Sequence, residues 1–556
     1  MRILLLVHAF NSLSQRLYVE LRQDGHELSV ELDIHDRVTR EAVELWKPDV
    51  ILAPFLKRAI PPALWQRHLC LIVHPGPPGD RGPAALDWAI LHDAKHWGVT
   101  VLQAQAEFDA GPVWGSATFP MRCARKSSLY RNEVTEGAIS AVRAALARVA
   151  QGAGPLLDAG RDTAHGWQPA LRKAERAIDW GRDDTATVLR KIHSADGFPG
   201  VEDQLLGRRF RLFDAHAELR MRGEAGATIA RHHEAICRAT ADGAVWIGQL
   251  QPMDAGKPGF KRPAVCALGD FAYSLPECEG DLADIRYEEI GPVGYLHFDF
   301  YNGALSTAQC NRLRAAYADA CARPTRVIVL MGGADFWSNG MHLHCIEASA
   351  SPADASWANI NCIDDLACDI LKTETHLTIA ALQGNAAAGG VFLALAADCV
   401  LGRSGIVLNP HYRNMGNLYG SEYWTYLLPR RVGAAEARAL MARRLPLGTQ
   451  EARSLGLIDD HAGPESVKFR ALIDARAASL AAGTGFEQAL ADKRQRRALD
   501  EQDRSLADYR AEELARMRLN FYGFDPSYHI ARHRFVYRTP HAWTPLHLAR
   551  HRRTAA

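Results

Sequence analysis

Two sets of short, uninterrupted apolar runs, each separated by helical patterns, constrain this chain more than any other feature. The first set is residues 3–7 (ILLLV), 49–53 (DVILA) and 69–73 (LCLIV), with an amphipathic helix over 14–24 that places Leu17 and Leu21 on one face. The second is residues 293–298 (VGYLHF), 327–330 (VIVL) and 378–382 (TIAAL). A strand with one wet face alternates apolar and polar residues. A continuous apolar run is covered on both faces, which is the situation of a parallel sheet flanked by helices. Two such sets predict two α/β units, and 556 residues leave room for about four domains in all. In an open sheet of this kind the ligand crevice lies beyond the carboxyl ends of the strands. His8, Ala53-Pro54-Phe55 and His74-Pro75-Gly76 all stand at such ends.

Composition then removes several function classes. With 65 Lys+Arg against 64 Asp+Glu, no net charge draws the chain to nucleic acid or an anionic membrane. No apolar run approaches the roughly 20 residues that span a bilayer. The opening Met1 to His8 lacks a basic n-region and a small-residue cleavage site, so it reads as a buried strand and not a signal peptide. The 11 cysteines are scattered, without a Cys-x-x-Cys pair, which argues against a disulfide framework and for a reducing cytoplasm. His342-Leu343-His344 has no third ligand nearby, so no metal is expected. Lys493 to Arg497 reads as a solvated helix face.

Between the two α/β units the texture changes. A short helix over 185–194 is broken by Gly197-Phe198-Pro199-Gly200, and alternating strands follow through Val245-Trp246-Ile247. This predicts a small β module, an OB-like one, ending in a linker around 276–284. Beyond 464 the chain is mostly helical and charged. The expected domains are 1–155, 156–280, 286–465 and a helical extension over 466–556.

The first chemical site lies at the end of the third apolar run, in Ile72-Val73-His74-Pro75-Gly76-Pro77-Pro78-Gly79-Asp80-Arg81-Gly82-Pro83. A histidine at a strand end titrates near neutral pH and can donate to a developing oxyanion, which suits acyl or one-carbon transfer. Asp109, in the later turn Glu107-Phe108-Asp109-Ala110-Gly111-Pro112, is placed to orient His74 and favour its charged form. Residues 1–215 resemble folate-dependent formyltransferases, in which a strand ends in Asn-x-His and is followed by an Arg-Gly-Pro loop, a helix and an Asp-x-Gly. The resemblance implies a Rossmann-like N-terminal domain with His74 and Asp109 as catalytic residues and Arg81-Gly82 as the loop. Ile178-Asp179-Trp180 and Phe198-Pro199-Gly200 resemble the family's small C-terminal domain. Ile72 departs from the pattern, because it stands where the family has its catalytic Asn. Loss of one oxyanion donor costs a factor of about 10²–10³. Either another donor replaces it or the acceptor is more reactive than an amine, as a thiol would be.

The second site is made of two glycine-bearing loops. Met331-Gly332-Gly333-Ala334-Asp335-Phe336-Trp337-Ser338-Asn339-Gly340-Met341 follows one strand, and Gln383-Gly384-Asn385-Ala386-Ala387-Ala388-Gly389-Gly390 leads into a helix. Glycines there let backbone N–H groups approach a ligand oxygen closely. Over residues 286–465, together with Asn302-Gly303-Ala304-Leu305-Ser306 and Leu428-Pro429-Arg430-Arg431-Val432-Gly433, this resembles the crotonase (enoyl-CoA hydratase/isomerase) superfamily. The resemblance implies oxyanion N–H donors at Met341 and Gly389, while the two hydratase carboxylates fall on Phe392 and Tyr412. A carboxylate reappears in Tyr419-Gly420-Ser421-Glu422-Tyr423-Trp424, either as a functional group or as an acid facing a helix N-terminus.

A formyltransferase unit ahead of a crotonase unit, with His-Pro-Gly-Pro-Pro-Gly-Asp-Arg-Gly-Pro and Tyr-Gly-Ser-Glu-Tyr-Trp, resembles the HypX/HoxX hydrogenase maturation factors. That resemblance implies synthesis of the carbon monoxide ligand of [NiFe]-hydrogenase from N10-formyltetrahydrofolate, with coenzyme A as carrier. His74 and Asp109 would move the formyl group to CoA, and Tyr412 and Glu422 would handle protons as formyl-CoA loses CO. Two rivals are a formyl hydrolase or transferase with another acceptor, and a non-enzymatic scaffold for hydrogenase assembly. The expected partners are small-molecule substrates and hydrogenase maturation proteins or the hydrogenase large subunit, not nucleic acid or membrane. Ala53, Phe55, Leu56 and the Asp109 loop are the candidates for the pterin. Gln15, Arg131 and Ser194 are candidates for a CoA or folate tail, against a reading as caps or surface residues. Arg532, Arg534 and Arg538 are candidates for CoA phosphates.

Overall fold

Leu4, Leu5 and Val7 are inaccessible to solvent on both faces of their strand, as a continuous apolar run requires. The computed structural model describes residues 1–156, 166–254 and 259–553, and the expected boundary at 155/156 abuts residues outside that set. The chain forms two units, Met1–Leu282 with Pro540–Ala556, and Ala283–Thr539.

The first unit opens with a six-stranded sheet. Its strands are β1 (Arg2–Val7), β2 (Glu27–Leu32), β3 (Val50–Phe55), β4 (Cys70–His74), β5 (His96–Gln103) and β6 (Val113–Pro120), in the order β2-β1-β3-β4-β5-β6. The first four are parallel, as expected, but β5 and β6 are antiparallel to their neighbours. β5 returns through the loop 104–112 into β6, whose Ser116, Thr118 and Pro120 are exposed, the one-sided wetting an antiparallel edge tolerates. The helix Ser12–Gln23 starts two residues earlier than its periodicity suggests. Asn11 caps it by accepting from the Ser14 N–H at 3.0 Å.

A small antiparallel module follows. Its strands are β7 (Val201–Leu205), β8 (Arg208–Glu218), β9 (Thr228–His232), β10 (Ala235–Ala239) and β11 (Ala244–Pro252), ordered β7-β8-β11-β10-β9, with β12 (Arg262–Pro263) on β11. The helix Thr185–Ala195 packs on it, capped by Asp184.

The residues grouped by sequence as one extension over 466–556 are divided between the units. The last helix there ends at Val536, and the segment from Pro540 onward returns to the edge strand β2. Val30 N–H donates to the Leu548 carbonyl at 3.1 Å, and Leu32 N–H donates to the Thr544 hydroxyl at 2.9 Å. His551 Nε2 stands 2.9 Å from Glu31 Oε2, with both side chains fully buried. The tail thereby satisfies an edge that would otherwise present free donors.

The second unit carries two sheets. The larger runs β13-β14-β15-β17-β19-β22 and comprises β13 (Ile285–Ile290), β14 (Val293–Phe298), β15 (Val327–Met331), β17 (Leu377–Leu382), β19 (Cys399–Arg403) and β22 (Asp460–Ala462). The smaller runs β16-β18-β20-β21 and comprises β16 (Phe336–Ser338), β18 (Asn385–Ala387), β20 (Val407–Asn409) and β21 (Leu447–Gly448). Each of β15, β17 and β19 passes directly into β16, β18 and β20, so the chain steps three times from the large sheet to the small one. Both glycine-bearing loops lie at these steps.

Lys493 to Arg497 is not simply a solvated face. Lys493 is buried and donates to Asp398 Oδ2 at 2.7 Å and to the His376 carbonyl at 3.0 Å. Arg497 is also buried and donates to the Tyr426 hydroxyl and to Glu501. Both basic side chains pay their desolvation through fixed partners. Among the described residues no helix is long and apolar enough to cross a membrane.

Candidate active sites

In the first unit, β4 delivers His74 as its last residue, and Ile72 lies two residues earlier on the same face. His74 is buried, and its two ring nitrogens face two carboxylates. Nε2 is 2.7 Å from Asp80 Oδ2, and Nδ1 is 3.7 Å from Asp109 Oδ1, which is too long for a direct hydrogen bond. Asp109 adopts a left-handed conformation (φ 54°) and accepts the Gly82 N–H at 3.0 Å, so its carboxylate is tied to the Arg-Gly loop. The partner bonded to His74 is therefore Asp80, a residue that the sequence reading passed over.

A turn fixes that partner. Asp80 N–H donates to the Pro77 carbonyl at 3.0 Å across Pro78 and Gly79, and Gly79 has φ 92°. Proline at the second position and a positive-φ glycine at the third make a type II turn. Its fourth residue is held under the strand end. Gly76 completes the arrangement, because a Cβ there would lie 2.3 Å from Asp80 Oδ2 and 2.6 Å from His74 Nε2. The Pro-Pro-Gly-Asp spacing carried this signal.

The other candidates divide. Ala53 is buried in the sheet core, so only its backbone can face a ligand. The Phe55 ring meets His8 and Tyr130 edge-on at 6.0 and 6.4 Å, and Leu56 packs against the core. Gln15 donates to the Phe10 carbonyl at 2.9 Å. Arg131 lies in a π-helical turn, Tyr130–Val134, and donates to the Ser127 carbonyl at 3.3 Å. Turns of this type recur at functional sites. Both side chains are half-buried on elements that pack together. Ser194, fully buried in the last turn of the helix Thr185–Ala195, spends its hydroxyl on the Lys191 carbonyl at 2.8 Å and is not a surface residue. Arg81 pairs with Glu107 at 2.8 Å.

In the second unit the two loops are locked together. The Trp337 indole donates to the Gly390 carbonyl at 2.9 Å, and a Cβ on Gly390 would lie 2.0 Å from the Ser338 carbonyl oxygen. A Cβ on Gly340 would lie 3.4 Å from Gly389 N. Leu305 N–H donates to the Gly340 carbonyl at 2.9 Å, which fixes the backbone entering Met341. Gly389 is the first residue of the helix Gly389–Leu395, where N–H groups have no intrahelical acceptor. Among the described residues neither the Met341 nor the Gly389 N–H has a protein partner.

Against Gly389 stands Glu422. A Cβ on Gly389 would meet its carboxyl at 2.0 Å from Oε1 and 3.0 Å from Oε2. Glu422 and Tyr423 are successive non-glycine residues in the left-handed region, φ 57° and 59°. Such backbone persists only where the surroundings hold it. Two further buried acids do so. Asp364, from the helix Pro352–Leu371, accepts the Glu422 N–H at 2.8 Å and the Ser421 hydroxyl at 2.7 Å. Glu513, from Leu506–Tyr522, accepts the N–H groups of Tyr423 and Thr425 at 2.9 and 2.8 Å. Sequence reasoning missed both, although each sits at a core position of its helix: Asp364 beside Ile360 and Ala367, Glu513 in line with Leu506 and Met517.

Burial, together with Asp364 and Glu513, pushes the Glu422 carboxyl well above its ordinary range. Burial also raises Asp364 to about 6 and Glu513 to about 8. The Tyr412 hydroxyl oxygen lies 2.5 Å from Glu422 Oε2 and 2.8 Å from the Ser421 carbonyl oxygen. A phenol has one proton to give. It is shared between Glu422 Oε2 and the Ser421 carbonyl, both of which accept from it. Phe392 stacks on the Tyr412 ring at 5.3 Å, and Gly420 (φ 94°) lets the chain cross that ring where a Cβ would lie 2.1 Å away. Glu422 does stand against a helix start, that of Gly389–Leu395, as one of its two expected readings had it. Its carboxyl is held above the ordinary range by burial and Asp364 and lies beside the Gly389 backbone.

His342 caps the helix Leu343–Ala348, and burial lowers its pKa to about 4. Among the described residues no group of three or more His, Cys, Asp or Glu side chains is placed to hold a metal ion. Arg532 is buried on Glu347 at 2.7 Å, and Arg538 sits at φ 52°.

Comparison with known proteins agrees with this two-part chemistry. Residues 31–142 match the formyl transferase family, 170–258 its C-terminal domain, and 301–512 the enoyl-CoA hydratase/isomerase family. Methionyl-tRNA formyltransferase of Dechloromonas aromatica is 30% identical over 205 residues, covering 37% of this chain and 62% of that enzyme. The crystal structure of HypX from Aquifex aeolicus in complex with tetrahydrofolic acid is 48% identical and matches with a TM-score of 0.95 over 99% of both chains. The hydrogenase maturation factor HoxX of Bradyrhizobium diazoefficiens is 55% identical over 554 residues, 99% of this chain and 97% of that protein. On identity sustained from end to end through both units, the chain belongs to the HoxX/HypX family of hydrogenase maturation factors.

Proposed function

We propose that this enzyme makes carbon monoxide for hydrogenase assembly in two steps, transferring formyl from N10-formyltetrahydrofolate to the thiol of coenzyme A and then releasing CO from formyl-CoA. CoA enters as acceptor substrate and leaves as product. A thiol acceptor fits a site whose oxyanion donor is replaced by Ile72, because thiolates are stronger nucleophiles than amines. Tetrahydrofolate, which the Aquifex relative binds, would lie between the β3 end at Ala53 to Leu56 and the Asp109 turn. In this reading Gln15 and Arg131 bind the CoA or folate tail, and Arg538 a CoA phosphate.

The Glu422 carboxyl, raised above its ordinary range and set beside Gly389, carries the second step, with the Met341 and Gly389 N–H groups as oxyanion donors. The thioester carbonyl accepts both N–H groups. As the C–S bond breaks, Glu422 gives its proton to the departing sulfur. The resulting carboxylate then takes the formyl proton, and the electron pair of the C–H bond stays on carbon as CO. Glu422 ends protonated, so no other proton donor is consumed. Tyr412 holds the carboxyl in place throughout. Hydration would need two carboxylates flanking a water, and those positions hold the Phe392–Tyr412 stack.

The direct test is to incubate the protein with N10-formyltetrahydrofolate and CoA and to trap CO with deoxy-haem. Glu422→Gln and Tyr412→Phe should each lower CO yield at least about tenfold while tetrahydrofolate release continues. Release of tetrahydrofolate without CO by the unaltered protein would overturn the decarbonylation step.

A further inference from the structure

Asp80 is 2% exposed, and its Oδ1 has no hydrogen-bond partner among the described residues. A carboxylate so far from water needs a hydrogen-bond donor, and the one in reach is the His74 ring at Nε2, 2.7 Å away. The other charged groups near the ring are already committed. Asp109 is bonded to Gly82 N–H, and Arg81 turns to Glu107. The Thr100 hydroxyl and the Trp97 indole, donating to the Gly76 and Pro75 carbonyls at 2.8 Å each, fix the loop beneath the pair.

We propose that Asp80 is a positioning residue for formyl transfer, holding the Nε2–H of His74 so that Nδ1 takes the thiol proton and returns it to N10 of the folate. This rests on CoA being the acceptor. The chemistry requires such a shuttle. A thiol with pKa about 8.5 is mostly protonated at neutral pH, so its proton must go to a base as sulfur attacks. The tetrahedral intermediate then chooses between two leaving groups. Thiolate leaves far more readily than an amide anion, so the intermediate reverts unless N10 is protonated as its C–N bond breaks. The same proton serves both events: S–H to Nδ1, then Nδ1–H to N10, with the new C–S bond formed and the C–N bond broken. Between them His74 is an imidazolium, and the Asp80 carboxylate at Nε2 stabilises that state. Nδ1, 3.7 Å from Asp109, makes no protein hydrogen bond among the described residues, so it is the nitrogen left for the reacting groups.

Asp80→Asn keeps the shape and removes the charge. It should lower kcat for formyl-CoA formation at least about a hundredfold, leave KM for CoA and folate within about threefold, and move the acid limb of the kcat–pH profile to lower pH. The limb moves down because the imidazolium loses its counter-charge. Tetrahydrofolate binding measured by calorimetry should match that of the unaltered protein. A kcat within about threefold, or an unmoved limb, overturns the proposal. Should the variant fail to fold, ¹⁵N NMR of the unaltered protein decides: neutral His74 protonated at Nδ1 and not Nε2 also overturns it. An unaltered protein that consumes formyl-folate without making formyl-CoA sinks the acceptor assignment, and this proposal with it. A fully active Asp80→Asn variant sinks this proposal alone.

Discussion

Gly389→Ala tests whether the second site depends on the close approach of Glu422 to the helix start. The added methyl would lie 2.0 Å from Oε1, 2.5 Å from Cδ and 3.0 Å from Oε2. Carbon contacts settle near 3.5–4.0 Å, so one side must retreat by more than about 1 Å. Glu422 resists, because its N–H is bound by Asp364 and its carboxyl by Tyr412. The helix start resists too, because Gly390 is pressed onto the Ser338 carbonyl and the Trp337 indole holds the Gly390 carbonyl. Overpacking of this kind costs about 1–3 kcal/mol, which in a unit of this size lowers Tm by about 2–4 °C per kcal/mol. Catalysis should lose more, since misplacing a reacting group by about 1 Å costs on the order of 10²-fold. The assay is CO trapped per formyl-folate consumed, beside a thermal melt. Tetrahydrofolate release should persist while CO output falls about a hundredfold. A Gly389→Ala protein with unchanged CO yield and unchanged Tm would refute the reasoning.

Three other outcomes follow from the same geometry. Burial raises the Glu422 pKa in the fold, so its stabilising effect is full below about pH 4.3, the unfolded value, and is lost as pH rises toward the folded one. Glu422→Gln should therefore gain stability relative to the unaltered protein between pH 5 and pH 8 in urea melts, and a constant gap would contradict this. Crotonyl-CoA should not be hydrated, and 3-hydroxybutyryl-CoA detected by chromatography would show the Phe392–Tyr412 stack to be misread. His551→Ala removes the buried ring that faces Glu31, leaving it the Thr544 hydroxyl and Arg552 at 3.5 Å, at a cost of about 1–3 kcal/mol to the first unit. A loss below about 1 kcal/mol would mean the tail does not clasp the edge strand.

The sheets were legible because burial on two faces leaves an unbroken apolar signature, and residues 3–7, 327–330 and 378–382 all became central strands. Strand direction was not, because β5 carries the same apolar signature whether it runs with β4 or against it. Site residues that act as endpoints could also be read. His74 ends a strand, Gly389 starts a helix, and Glu422 stands in an odd segment. Their supports were harder to see. Asp364 and Glu513 come from helices about 60 and 90 residues away in sequence, and only the folded chain brings them to Glu422. Asp80 lay within six residues of His74, but its role depended on recognising that a Pro-Gly turn would swing the fourth residue back under the histidine.

The proposed reaction, if divided between the two sites, sets each carboxyl a different task. Both steps move one proton, but under opposite electrostatic demands. Formyl transfer needs a base that can hold a positive charge for the life of an intermediate, and a carboxylate buried against an imidazole provides it at Asp80 and His74. Decarbonylation needs an acid that stays neutral until sulfur departs, and a carboxyl buried among other acids provides that at Glu422, with Asp364 and Glu513 behind it. The surroundings that keep Glu422 protonated would disfavour an ionised Asp80, and the imidazolium that suits Asp80 would ionise Glu422. One pocket cannot hold both carboxyls in their working states at one pH. Dividing the steps between a formyltransferase site and a crotonase-like site lets each carboxyl keep the protonation state its step requires.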